Sequence, residues 1–207
     1  MPRKVIRAEA AALLVLAALS GGAVAAAKAP PPPHRATPAP AAPVWVTDKA
    51  ASRLTFKGTV SGQGFDGVFK RWDAQIAFDP NNLGASRVAV TIDLASVVTG
   101  DPTRDQMLPT ADWFAVQKFP KASFVSTAIA ATGPGRYQAT GDLSIKGQTH
   151  RVTLPFALAV NKDVAKMDGA LAIDRRQFGI GQGQFAGVDT VGADVQILVR
   201  LTAKTAR

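Results

Sequence analysis

The sequence predicts an all-β chain, an eight-stranded antiparallel up-and-down barrel with one short helical lid insert between strands three and four. Period-two alternation of apolar and polar residues recurs in eight runs. The runs are joined mostly by short Gly, Asn or Asp turns that allow only hairpins. A single stretch, Asp93 to Phe124, departs from this pattern over any length.

Strand one sets Ser52, Leu54, Phe56, Gly58 and Val60 against Arg53, Thr55, Lys57 and Thr59. Gly62-Gln63-Gly64 turns the chain into a long second strand, Phe65 to Phe78, with Trp72, Ala74, Ile76 and Phe78 on one face. After the turn Asp79 to Gly84, Val88, Val90, Ile92 and Leu94 mark strand three. The fourth, Ala122 to Ala130, has the faces Phe124/Ser126/Ala128 and Val125/Thr127/Ile129, a mixed pattern from which its buried side is not assignable. Strands five to eight follow Tyr137 to Ile145, Val152 to Val160, Ala165 to Ile173 and Val195 to Ala203. Pro155 lies on an outward set and must sit where no ladder donor is needed. A β-sandwich is the competing fold. Hairpin connections favour a barrel, as do small inward residues (Gly58, Ala74, Gly141, Gly169) that thin the interior.

In the insert, Asp101 or Thr103 is expected to cap a turn of helix from Arg104 to Leu108, ended by Pro109, and Asp112 to start a second piece bearing Trp113 and Phe114. Its apolar content argues for an ordered lid with an apolar underside.

Arg3, Lys4 and Arg7 precede an apolar run from Ala10 to Leu19 and small residues, the order of a secretory signal at 1–27. A transmembrane anchor would want a longer, less alanine-rich run. Residues 28–43, rich in Ala and Pro, read as an extended tether, and 44–207 as one domain. The expected location is periplasmic or secreted. With no cysteine, disulfides and thiol chemistry are excluded. The charge of +9 includes five basic residues and one acidic in 1–43. The domain keeps a scattered excess, with pairs only at Lys70-Arg71 and Arg175-Arg176, which reads as a solvated face and not a nucleic-acid surface.

No catalytic constellation stands out. No Gly-x-Ser-x-Gly elbow occurs, and neither His34 nor His150 has clustered metal-ligand partners. Asp101, Arg104, Asp105 and Asp112 are read as lid-positioning residues acting through caps, salt bridges or backbone hydrogen bonds. Gly179 to Gly183 lacks the strand-loop-helix setting of a dinucleotide loop, leaving a backbone nest for an anionic head. Three readings stay open: a binder of an apolar ligand, an enzyme using Asp105 or His150 as acid or base, and a filled structural barrel docking to an envelope partner.

The motif order resembles the YceI-like family of exported lipid-binding proteins: Thr55-Phe56, Gly67-Val68-Phe69, Ile76-x-Phe78-Asp79-Pro80, Val90 to Asp93 with Ser96-Val97, Thr99-Gly100-Asp101 with Arg104-Asp105, Asp112-Trp113-Phe114, Phe119-Pro120 and Gly141-Asp142-Leu143. The resemblance implies a lipocalin-like barrel and, in place of a cofactor, a bound polyisoprenoid such as a polyprenyl phosphate or quinone. The tether, and not the resemblance, suggests an inner-membrane or envelope protein partner. Relatives commonly carry a histidine near the end of the first strand, which Lys57 to Ser61 lack. Candidate cavity walls are Leu54, Phe56, Trp72, Ile76, Phe78, Val90, Ile92, Leu143, Leu154, Phe156, Leu171 and Ile173, though an open cavity and a filled barrel share one alternation. Trp113, Phe114 and Phe119 are expected to close the mouth.

Overall fold

A computed structural model describes residues 41–206. The leader expected at 1–27 and the tether, apart from residues 41–43, lie outside the described residues. Eleven strands form one sheet: β1 (Val44–Thr47), β2 (Arg53–Val60), β3 (Gln63–Phe69), β4 (Trp72–Ala77), β5 (Arg87–Asp93), β6 (Val97–Val98), β7 (Lys121–Gly133), β8 (Arg136–Ile145), β9 (Gln148–Asn161), β10 (Val164–Asp174) and β11 (Asp194–Thr205). The sheet closes because β1 pairs on both sides, Trp45 lying opposite Ile76 of β4 and Thr205 of β11. β2 continues past β1 along the same β11 edge, Phe56 opposite Ile197. Hence β1 with β2, β3 with β4 and β5 with β6 are three bent staves, and β7 to β11 supply five more. The barrel is closed, eight-stranded and antiparallel.

Two features of the staves differ from the expectation. β1 precedes the predicted first strand, and the predicted Phe65–Phe78 strand is broken at Lys70-Arg71. Both bends are made by side chains that replace ladder bonds. At the first, Asp48 accepts from the amides of Ala50 and Ala51, and the Ser52 hydroxyl donates to the Asp48 carbonyl at 2.6 Å while accepting from Thr202 N. At the second, buried Ser96 accepts from Arg71 N at 3.0 Å and donates to Asp93 O at 2.6 Å. A serine at such a corner satisfies backbone groups that the sheet gives up on bending.

β7 explains its own ambiguous pattern. A register shift between Ser126 and Ala128 moves the inward set from even to odd positions, so that Ser126 and Ile129 are both buried, and a second shift lies between Ala131 and Gly133.

The lid follows β6. Asp101 accepts from Arg104 N and caps α1 (Pro102–Met107), with Pro102 in the first turn. No second helix forms at Asp112, because residues 109–119 fold as successive tight turns. The lid belongs to a cluster at one end of the barrel, built on Phe56, Leu94, Leu108, Trp113, Phe114 and Phe178. A second cluster, around Trp45, Phe78 and Ile129, closes the other end.

Candidate ligand cavity

Between the two clusters the interior is hollow. A cavity of about 150 Å³ lies there, lined only by apolar side chains. That is close to the size of an engineered apolar cavity that takes up benzene and stays dry. Ten of the fifteen residues singled out from sequence line it: Leu54, Trp72, Ile76, Phe78, Val90, Ile92, Leu143, Leu154, Phe156 and Leu171. They reach it from six strands because period two sends alternate side chains inward.

A smaller chamber of about 80 Å³ lies under the lid. Phe56, Ile173, Trp113 and Phe114 line this one and not the main cavity, and Ile197 borders both. Phe119 lines neither. It is half-buried and packs its ring over Gly147, whose backbone has φ 76° and leaves no room for a Cβ there. Trp113 and Phe114 therefore close the lid end, whereas Phe119 covers the β8–β9 hairpin.

Small residues do less to thin the interior than their pattern suggests. A Cβ on Gly58 would meet the Phe65 ring at 2.9 Å, and one on Gly141 would meet the Phe124 ring at 2.7 Å, so these glycines seat aromatic rings. Ala74 does border the main cavity. Wall residues not singled out include Trp45, on the unrecognised β1, and Phe124, on the strand whose face was ambiguous. Ile197, Val199 and Leu201 had a clear signal in the β11 alternation.

The lid-positioning residues divide their work. Asp105 accepts from the Thr99 amide and hydroxyl, both at 2.7 Å, and these bonds hold its carboxyl below the usual carboxylate range. Arg104 pairs with Asp101 at 3.3 Å and lies 4.1 Å above the Phe65 ring. Asp112 works through its carbonyl, which accepts from Gly181 N and Gln182 N at 2.8 and 2.9 Å and bolts the lid to the β10–β11 loop.

That loop is organised by a residue that sequence reading placed on a solvated face. Arg175 is 2 % exposed, and its five N–H groups serve six carbonyls at 2.7–3.0 Å, Nε donating to Gly192, Nη1 to Ile180 and Gly181, and the two Nη2 hydrogens being shared among Phe185, Gly187 and Val191. Gly179 to Gly183 thus turns carbonyls toward a cation, the opposite of an anion-binding nest. Arg176 is the solvated member of the pair and bonds Asp174 at 2.6 Å. His150 sits edge-on to Phe178, with Nε2 2.9 Å from the Gln177 carbonyl. Neither His150 nor Asp105 lines the cavity. Among the described residues no group of three or more His, Cys, Asp or Glu is placed to hold a metal ion.

Two results follow for the lid. Asp105→Ala leaves the Thr99 amide and hydroxyl without their acceptor, at a cost of about 1–3 kcal/mol. Amide exchange is expected to quicken in residues 99–108 but not in β8 or β11. Asp93, bonded by Arg71 at 2.8 Å, is likewise held below the usual range. For both carboxylates the unfolded chain binds protons more readily. Their contribution is complete above about pH 4 and is lost as pH falls through the lower folded values. Acid titration followed by tryptophan emission should show loosening only below about pH 4.

Comparison with known proteins agrees with this geometry. The YceI-like domain model matches residues 45–203. The chain belongs to the YceI-like family. A UPF0312 protein of Pseudomonas savastanoi pv. phaseolicola is 34 % identical over 113 residues, which is 53 % of this chain and 59 % of that relative. The chain therefore spans little more than half of that relative's length. Burkholderia cenocepacia BcnA is similar in structure, with a TM-score of 0.74 and 35 % identity over 77 % of this chain and all of that one. A polyisoprenoid binding domain from Saccharophagus degradans, implicated in plant cell wall breakdown, shares the fold at a TM-score of 0.63 and 15 % identity, over 79 % of this chain and 99 % of that one.

Proposed function

We propose that this YceI-like protein is an exported, non-enzymatic carrier that holds a long-chain lipid of the isoprenoid class inside its barrel. The observation that carries the reading is the wholly apolar cavity between two closed ends. Every buried CH2 contributes about 0.8 kcal/mol, so a few isoprene units offset a typical association cost of about 4–15 kcal/mol with no catalytic group. The closed cavity is smaller than such a chain. A longer ligand extends past Ile197 into the lid chamber, and toward the other end the unbranched Met167, opposite Leu201, is a wall side chain able to make way. The leader and tether fit a periplasmic protein held off an inner-membrane or envelope partner. Native mass spectrometry of protein purified from the envelope of an expressing cell tests the reading. A lipid-mass adduct released on unfolding is expected, and protein that carries no adduct and takes none up from added isoprenoid alcohol would overturn it.

A further inference from the structure

The barrel wall has one seam. β10 pairs with β11 along its full length, from Val164–Lys204 to Asp174–Asp194, and β8 pairs with β9 along all of β8. β9 and β10 pair only from Asn161–Val164 to Phe156–Gly169. Beyond that rung, residues 148–155 of β9 and 170–174 of β10 face each other with no ladder.

Sequence accounts for the stop. Leu158 N donates to Gly135 O on the β8 side, so by strand alternation the amides of residues 157 and 155 face β10. Residue 155 is proline, and the next rung has no donor. Opposite, Gly169 supplies no side chain to cover the break, and the space a Cβ would take is bordered by Leu154, Pro155 and Phe156 at 3.1–3.2 Å. The far end of the seam is closed by the His150–Gln177 hydrogen bond. Inward side chains along it, Val152, Leu154 and Leu171, are only half-buried, whereas Ala139, Leu143 and Ile145 on fully paired β8 are buried.

Outside the lower end of the seam lies a groove of about 600 Å³, and Phe156 and Val199 border both this groove and the inner cavity. Its charged residues are Arg53, Arg136, Arg200 and Asp168. Asp168 is engaged by Arg200 at 3.0 Å. Arg53 donates to the carbonyls of Ala50 and Ser52, and neither it nor Arg136 has a carboxylate partner among the described residues. By register Arg53, Arg200, Asp168, Ala157 and Arg136 form one row across five strands, so the two uncompensated guanidiniums flank the groove from its two sides. Beside an unpaired stretch of wall over an apolar cavity they match one chemical shape, a long chain with an anionic head.

We propose that an acidic amphiphile threads its chain through the β9–β10 seam and leaves its anionic head in the groove between Arg53 and Arg136. This rests on the carrier reading and adds to it the class of headgroup and the route of entry. The head stays in water, the chain does not, and the lid need not open.

The test uses quenching of tryptophan emission, since Trp45 and Trp72 both line the cavity. The probes are a brominated twelve-carbon alkyl phosphate and the matching brominated alcohol, added to the full chain at neutral pH. The phosphate is expected to bind about tenfold more tightly than the alcohol, a difference of about 1.4 kcal/mol. Arg53→Glu/Arg136→Glu is expected to erase that preference while leaving alcohol binding unchanged. Both positions are exposed and Arg53 gives up only its bonds to the Ala50 and Ser52 carbonyls, so the variant is expected to keep the fold, which its circular dichroism and alcohol binding check. Because the chain has no cysteine, Asp112→Cys/Gln182→Cys can be joined by a short bis-maleimide to lock the lid, and uptake should proceed at an unchanged rate. The proposal is overturned if the preference is absent, if it survives in the double variant, or if locking the lid abolishes uptake. It also falls if inorganic phosphate alone binds the arginines as tightly as the amphiphile does, which would make the groove a free-phosphate site. In each of these cases the carrier reading stands provided the alcohol still quenches. Loss of quenching by both probes in the parent chain with its lid unlocked would remove the carrier reading as well.

Discussion

Replacing Arg175 by methionine will cost the protein about 3–5 kcal/mol, among the largest single losses available to it. The reason is arithmetic of acceptors more than of charge. Six carbonyls from residues 180–192 converge on one guanidinium in a site that is 98 % sealed. Methionine fills the volume and answers none of them, and a buried carbonyl with no donor costs about 1–3 kcal/mol unless the loop opens to water. Opening is not local, because Gly181 N and Gln182 N hold the Asp112 carbonyl and so the lid. Arg175→Met should lower the melting temperature by on the order of 10 °C and speed exchange in both the loop and the lid. Arg175→Lys, with three donors on one nitrogen, should fall between. A melting temperature within about 2 °C of the parent would show that the loop is held by its apolar contacts instead.

The second large effect concerns ligand and not stability. Ala139 is buried on β8 and lines the cavity, so Ala139→Phe places a ring in the space assigned to the ligand. Overpacking of a filled core costs about 1–3 kcal/mol, but a hollow of about 150 Å³ can receive the ring with little strain. The expected outcome is near-parental melting with loss of lipid retention. A strong drop in stability with retention unchanged would mean that the hollow lies elsewhere.

What the sequence made legible was whatever follows period two. β8 was clean because its inward set, Ala139 to Ile145, is unbroken and one face is fully buried. β7 was not, because its bulges switch the inward set midway and no composition signal marks a bulge. β1 was hidden by its four-residue length, and with it Trp45. The broken second stave reads as one strand because both halves keep the same alternation, and the break is made from a distance by Ser96. Arg175 was beyond pattern reading altogether. In phase it continues the inward set Leu171 and Ile173, but a cation beside Arg176 reads as solvated charge, and only the folded loop brings six carbonyls to it. Pro155 did announce itself, since a proline in a barrel strand requires a missing rung, although not where that rung would be.

Occupation of the space between the two aromatic ends by a lipid chain is read out in a Trp113→Phe background, which leaves Trp45 and Trp72 as the tryptophans, both on the cavity wall. A brominated isoprenoid alcohol should quench their emission to saturation at one ligand per chain, and Ala139→Phe should abolish the effect. Emission unaffected by the brominated chain, or quenched equally in Ala139→Phe, would contradict the account.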